Sequence, residues 1–144
     1  MQTFVPYPDF IPSAVVLDRA RLGKQRVETL QILNSLDPDY DKRGWANHPA
    51  VKMWRGHEGA LARYGLACVN EWVARGYNDI KCGPKLQAYA DKYQDTTLPW
   101  WWGDKRVHLS HQSNLLRKDP EHYREFFVGV SDNLPYHWPE GDNK

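Results

Sequence analysis

The stretch Leu17-Asp18-Arg19-Ala20-Arg21-Leu22-Gly23-Lys24-Gln25-Arg26-Val27-Glu28, continued by Thr29 through Leu36, reads as one long helix. Ser13 or Asp18 suits its N-cap, since a short side-chain oxygen accepts from an orphan backbone N–H of the first turn. Val16, Ala20, Val27, Leu30 and Leu33 recur at helical spacing, with Gly23 as a weak point. Asp37-Pro38-Asp39 ends it. At 100° per residue, Arg21, Lys24, Gln25 and Glu28 project from one side. Val27 and Leu30 then flank the opposite, core-directed side.

Upstream, Pro6, Pro8 and Pro12 make residues 1–12 extended or irregular. Downstream, residues 37–46 form a loop. Pro49 opens a second helix capped by Asn47 or His48. Val51, Trp54, Leu61, Tyr64, Cys68 and Trp72 carry it forward to a stop at Arg75-Gly76. Gly56 and Gly59 inside that run divide it or let another backbone approach. A short helix fits 84–93. Pro99-Trp100-Trp101-Trp102-Gly103 forms an aromatic loop. Asp104 caps a helix through Lys118, and Asp119-Pro120 restarts one through Phe127. The tail from about 129 is irregular. These spacings describe an all-α chain of about three main helices with long loops, in one domain over residues 1–144.

The composition fits that class. Of 144 residues, 41% are hydrophobic and 26% charged, enough for a packed core. No apolar run approaches the ~18–20 residues that cross a bilayer. Met1-Gln2-Thr3-Phe4-Val5-Pro6 lacks the pattern of a secretory signal, so the default expectation is the cytoplasm. Cys68 and Cys82 are expected to be free thiols, being too few for a disulfide framework or a cysteine-rich zinc site. The net charge of +1 hides an asymmetry. Residues 1–118 hold 17 Lys and Arg against 12 Asp and Glu; residues 119–144 hold 2 against 6. Basic residues gather at Arg19, Arg21, Lys24 and Arg26, and again at Lys105, Arg106, Arg117 and Lys118. Such grouping suits a face that meets phosphates, and also suits ordinary solvated helices.

Glu28 stands four residues after Lys24. Spacing alone makes this an ion pair of ~0.3–0.5 kcal/mol. His108 and His111, at i and i+3, have chelating geometry, but no His-Glu-x-x-His or cysteine pair accompanies them. No metal or cofactor is called for. His48 reads as a cap. His57 fits a site, the core or the surface equally. Trp45, Trp54 and Trp72 read as core. In the Trp100–Trp102 run, one or two rings either stack on an unstacked base or anchor the loop on the core.

The run 17–28 resembles the first helix of the pyrimidine-dimer DNA glycosylase family, the phage endonuclease V type and its bacterial relatives. A second block is closer: Gly44-Trp45-Ala46-Asn47-His48-Pro49, then Trp54, Gly56-His57, Tyr64, Trp72 and Arg75-Gly76-Tyr77. A third, Ser110 through Pro120 and on to Tyr123, resembles the family's C-terminal helix. The order of the blocks, over about two-thirds of the chain, carries the likeness. It implies an endonuclease V-like fold and a monomeric DNA repair enzyme, nucleoid-associated when bound. The implied partner is double-stranded DNA with a damaged or modified base.

The resemblance also implies chemistry. A backbone α-amine is the nucleophile, matching Met1, and an assisting glutamate matches Glu28. Gln2 has a large side chain, which favours retention of Met1. An α-amine has pKa ~7.7–8.0, so roughly a tenth is neutral at pH 7, against well below a thousandth for a lysine at ~10.4. A neutral amine can attack the sugar C1′, expel the base and form an imine that allows β-elimination. Expected DNA contacts are Arg21, Lys24, Gln25, Arg26, His48, His57, Trp101, Arg117 and Lys118. The phage member has arginines beside the glutamate and three residues beyond it; here those places hold Val27 and Gln31. The alternatives are a non-catalytic nucleic-acid-binding module of the same fold, or a glycosylase for another modified base.

Overall fold

A computed structural model describes residues 1–41 and 46–139. Gly44 and Trp45, used in the second block above, lie outside the described residues. Among those described, the chain has seven helices and no strand: α1 (Phe10–Val16), α2 (Arg19–Leu36), α3 (Pro49–Lys52), α4 (Glu58–Ala74), α5 (Cys82–Lys92), α6 (Lys105–Lys118) and α7 (Pro120–Tyr123). The all-α expectation holds, with α2, α4 and α6 as the three longest elements. None of these helices is long and apolar enough to cross a membrane.

The first long helix begins behind Asp18, one of its two expected caps, and a separate short helix, α1, precedes it. α1 begins at Phe10, before the expected start, because Pro12 sits in its first turn, where a backbone N–H has no intrahelical partner to lose. Leu17 is extended, and Asp18 then caps α2, accepting from Arg21 N–H. The same Asp18 carboxylate accepts the Tyr123 hydroxyl, and Asp18 N–H donates back to that oxygen. α7 is thereby tied to the start of α2. Burial opposes its ionisation, but Tyr123 and Arg21 hold the Asp18 carboxyl below the usual carboxylate range.

The second long run is divided, as one reading of its glycines had it. Gly56, at φ +87°, turns the chain between α3 and α4, in a region where a side chain is strained. Gly59 also serves the other reading. A Cβ there would lie 2.1 Å from the Asp95 carbonyl, so only glycine lets the 93–95 backbone cross α4. α7 ends at Tyr123 rather than Phe127.

α4 is the central helix, packed against α1, α2 and α5. Leu22, Ile32 and Leu33 of α2 meet Leu61, Tyr64 and Cys68 of α4 and Leu86 of α5 in the core. Each such aliphatic side chain contributes roughly 1.5–3 kcal/mol on burial. Trp54 is fully buried, as expected, and Trp72 partly so. Cys68 and Cys82 are free and buried.

One face of α2 departs from its sequence reading. Val27 is 40% exposed, and Gln25 and Thr29 take buried places beside Leu22 and Ile32. The polar pair is buried because it has partners there, as the site makes clear.

Candidate active site

Residues 1–7 form no helix and no strand, yet Gln2 to Val5 are buried. Their backbone groups are met by side chains from three helices. Gln25 of α2 clamps two of them: its Oε1 accepts Phe4 N–H at 2.7 Å and its Nε2 donates to the Gln2 carbonyl at 2.9 Å. The Tyr64 hydroxyl of α4 donates to the Phe4 carbonyl. On α6, His111 Nδ1 accepts Val5 N–H at 3.0 Å. His108 Nδ1 donates to the Val5 carbonyl at 2.7 Å, while its Nε2 accepts Gly103 N–H. These bonds require both imidazoles neutral at the accepting nitrogen. Burial pushes the His108 pKa down, and pushes that of His111 down to about 3 with help from His108. Their i,i+3 spacing therefore grips a backbone residue. Trp54 Nε1 adds a bond to Thr3 Oγ1 at 2.7 Å.

This anchoring delivers the chain's first atoms to α2. Gln2 N–H donates to Glu28 Oε2 at 2.6 Å, and the Met1 α-amine lies 4.0 Å from the same oxygen. Glu28 is paired with the N-terminal segment and not with Lys24. Among the described residues Lys24 makes no ion pair.

Around this pair lies a cavity of about 350 Å³ walled by Met1, Gln2, Phe4, Arg21, Lys24, Gln25, Glu28, Lys118 and Tyr136. Its charged groups are three cationic side chains and an amine against one carboxylate. Arg21 is held by Asp18 at 3.1 Å, whereas Lys24 and Lys118 have no ion partner among the described residues. The larger groove between α1 and α4 contains none of the candidate catalytic groups.

His48 stands at the edge of the site. Its Nδ1 caps α3 by accepting Ala50 N–H. Burial lowers its pKa, the Met1 amine lowers it further, and Glu28 acts in the opposite direction, so it feels both catalytic candidates.

Four of the expected DNA contacts are engaged inside the protein. Gln25, His57 and Trp101 have almost no exposed surface to offer a phosphate or base. His57 Nδ1 is bonded to the Thr97 carbonyl, and Trp101 Nε1 donates to the Met53 carbonyl. Arg26 spends its charge on Asp79 at 2.5 Å and lies over the Trp72 ring, 4.4 Å from its centroid. Trp102 also anchors its loop, donating to the Pro8 carbonyl, while Trp100 is half-exposed. Arg117 is exposed and donates to the Asp132 carbonyl and to Asn114.

Tyr136, like Phe4, is a cavity residue that the sequence reading missed. It sits in the tail, half-buried, packed on Phe4, His111 and Trp138. Burial raises its pKa, Arg117 and Arg21 oppose this and Glu28 assists, so the hydroxyl remains a donor at neutral pH. The aromatic run at Tyr136 and Trp138, unusual in a tail, was the available signal.

A family model described as pyrimidine dimer DNA glycosylase matches residues 1–81. That span holds Met1, Gln25 and Glu28; Lys118 and Tyr136 lie beyond it. No curated protein and no solved structure matches the chain.

Proposed function

This chain belongs to the pyrimidine dimer DNA glycosylase family, and on that premise we propose that it excises a damaged pyrimidine, such as a cyclobutane dimer, from double-stranded DNA and then cleaves the abasic strand. The carrying observation is the Met1 α-amine beside Glu28 in a basic cavity.

The neutral amine of Met1 attacks C1′ of the damaged nucleotide. The C1′–N bond breaks and its electron pair leaves with the base, which takes up a proton. The ring C1′–O4′ bond then opens, O4′ is protonated, and nitrogen and C1′ share an iminium. Loss of a C2′ proton and departure of the 3′ phosphate complete β-elimination. Glu28 stabilises the cationic sugar and the iminium, and carries protons between amine, O4′ and C2′. The Gln2 N–H holds its Oε2 toward the amine. Arg21, Lys24 and Lys118 bind the phosphates of the attacked strand. His48 lies close enough to both groups to feel their charges, and Arg117 extends the basic surface outside the cavity.

The test is borohydride trapping on duplexes carrying a dimer or an abasic site. The expected result is a covalent adduct with each. Glu28→Gln is expected to bind DNA while losing strand cleavage by about 10²–10⁴-fold, the usual worth of a positioned acid–base group. Salt-sensitive binding with no adduct on either duplex would instead identify a non-catalytic DNA-binding module.

A further inference from the structure

The Met1 amine stands between two cavities that share Met1, Lys24 and Glu28. The first is the basic one. The second, about 380 Å³, is completed by Gly23, Val27 and Gln31. None of these three carries charge. Val27 presents its methyls to the space, and it is exposed although hydrophobic. The Gln31 side-chain amide has no hydrogen-bond partner among the described residues, and so offers a donor and an acceptor at the rim. The Gly23 wall is stiff, because Trp72 packs against its Cα and is itself covered by Arg26 and Tyr77.

Attack at C1′ imposes a division of space. The base leaves that carbon in one direction, while the phosphates hang from C3′ and C5′ in others. An anionic backbone gains nothing from these three uncharged residues and has Arg21 and Lys118 on the other side of the amine. A flat, uncharged ring gains from apolar contact on its faces and from an amide at its edge. We propose that the Val27–Gln31 cavity is the base subsite, that it takes an uncharged pyrimidine ring, and that Val27 and Gln31 determine which base is released. This rests on the amine and Glu28 acting as described above.

The abasic duplex isolates the question, because it has no base. The quantity to measure is the ratio of base release to abasic-strand cleavage, over duplexes bearing a cyclobutane dimer, an oxidised pyrimidine or a 5-substituted pyrimidine. Val27→Trp fills the cavity with a bulky side chain and is expected to lower that ratio at least ~10-fold, the scale of discrimination in a shaped apolar pocket. Gln31→Ala is expected to change the order of preference among the bases. Ratios and preferences equal to wild type in both variants would overturn the subsite. So would a wild type that cleaves the abasic duplex but releases none of these bases. A wild type inert even on the abasic duplex would overturn the parent reading.

Discussion

Residues 1–7 and residues 128–139 both cross the helices without regular structure, but they are held very differently. In the first, Gln25, Tyr64, His108 and His111 supply buried partners from α2, α4 and α6. In the second, Ser113 accepts Leu134 N–H, Asn114 donates to the Leu134 carbonyl, Ser110 accepts His137 N–H and Arg117 reaches Asp132, all from α6. Its start is open to water, with Val128 81% exposed. Side chains from several directions fix a segment's position as a sheet partner would. Hydrogen bonds from one helix lay the other along it, with ring contacts of Tyr136 on Phe4 and Trp138 on His48 beside them. The tightly held segment ends in the proposed nucleophile, which needs placement within a fraction of an ångström of its productive geometry.

Breaking the Gln25 clamp is expected to have the largest effect on this contrast. Gln25→Ala leaves Phe4 N–H and the Gln2 carbonyl buried without partners, at about 1–3 kcal/mol for each unsatisfied group. Denaturant unfolding should show that loss, and borohydride trapping should fall with it as the amine loses its register. A stable variant that traps like wild type would mean that the other anchors suffice.

Acid is the next probe. The unfolded chain binds a proton at His111 near pH 6.5, whereas the folded chain refuses it until about pH 3. The unfolded state therefore holds more protons between those values. Stability is complete above about pH 6.5 and declines as the pH falls, by up to roughly 1.4 kcal/mol per pH unit for one such group. His108 shifts in the same direction. Denaturation midpoints from pH 7 to 5 should show the slope, and His111→Gln should flatten it.

The smallest effect belongs to the tail. Ser113→Ala removes one part-buried bond to Leu134 N–H, worth about 1 kcal/mol. Unfolding is expected to register a change of that size, well below that of Gln25→Ala. An equal loss from the two variants would erase the contrast between the segments.

Much of this architecture was legible in the residues. Asp18, Asp104 and Asp119 are local signals and marked three helix starts. Pro12 misled because proline is tolerated in a first turn. The α2 face misled for a deeper reason. Polar Gln25 is buried because a non-local strand of backbone needs its amide, and apolar Val27 is exposed because a cavity lies over it. Helical periodicity records neither condition. Lys24, Glu28 and Met1 were reached through the resemblance of the sequence blocks, while Tyr136, marked locally only as an aromatic in the tail, reaches the cavity through its contact with Phe4, about 130 residues away.

The most direct measurement is the site of the trapped adduct. The wild-type chain is first checked by intact mass for its Met1 terminus, then reduced with borohydride on an abasic duplex, digested and mapped by mass spectrometry. The expected product carries the sugar remnant on the α-nitrogen of Met1. A remnant on Lys24 or Lys118, the other amines at the cavity, with Met1 unmodified, would contradict the assignment of the N-terminal amine as nucleophile.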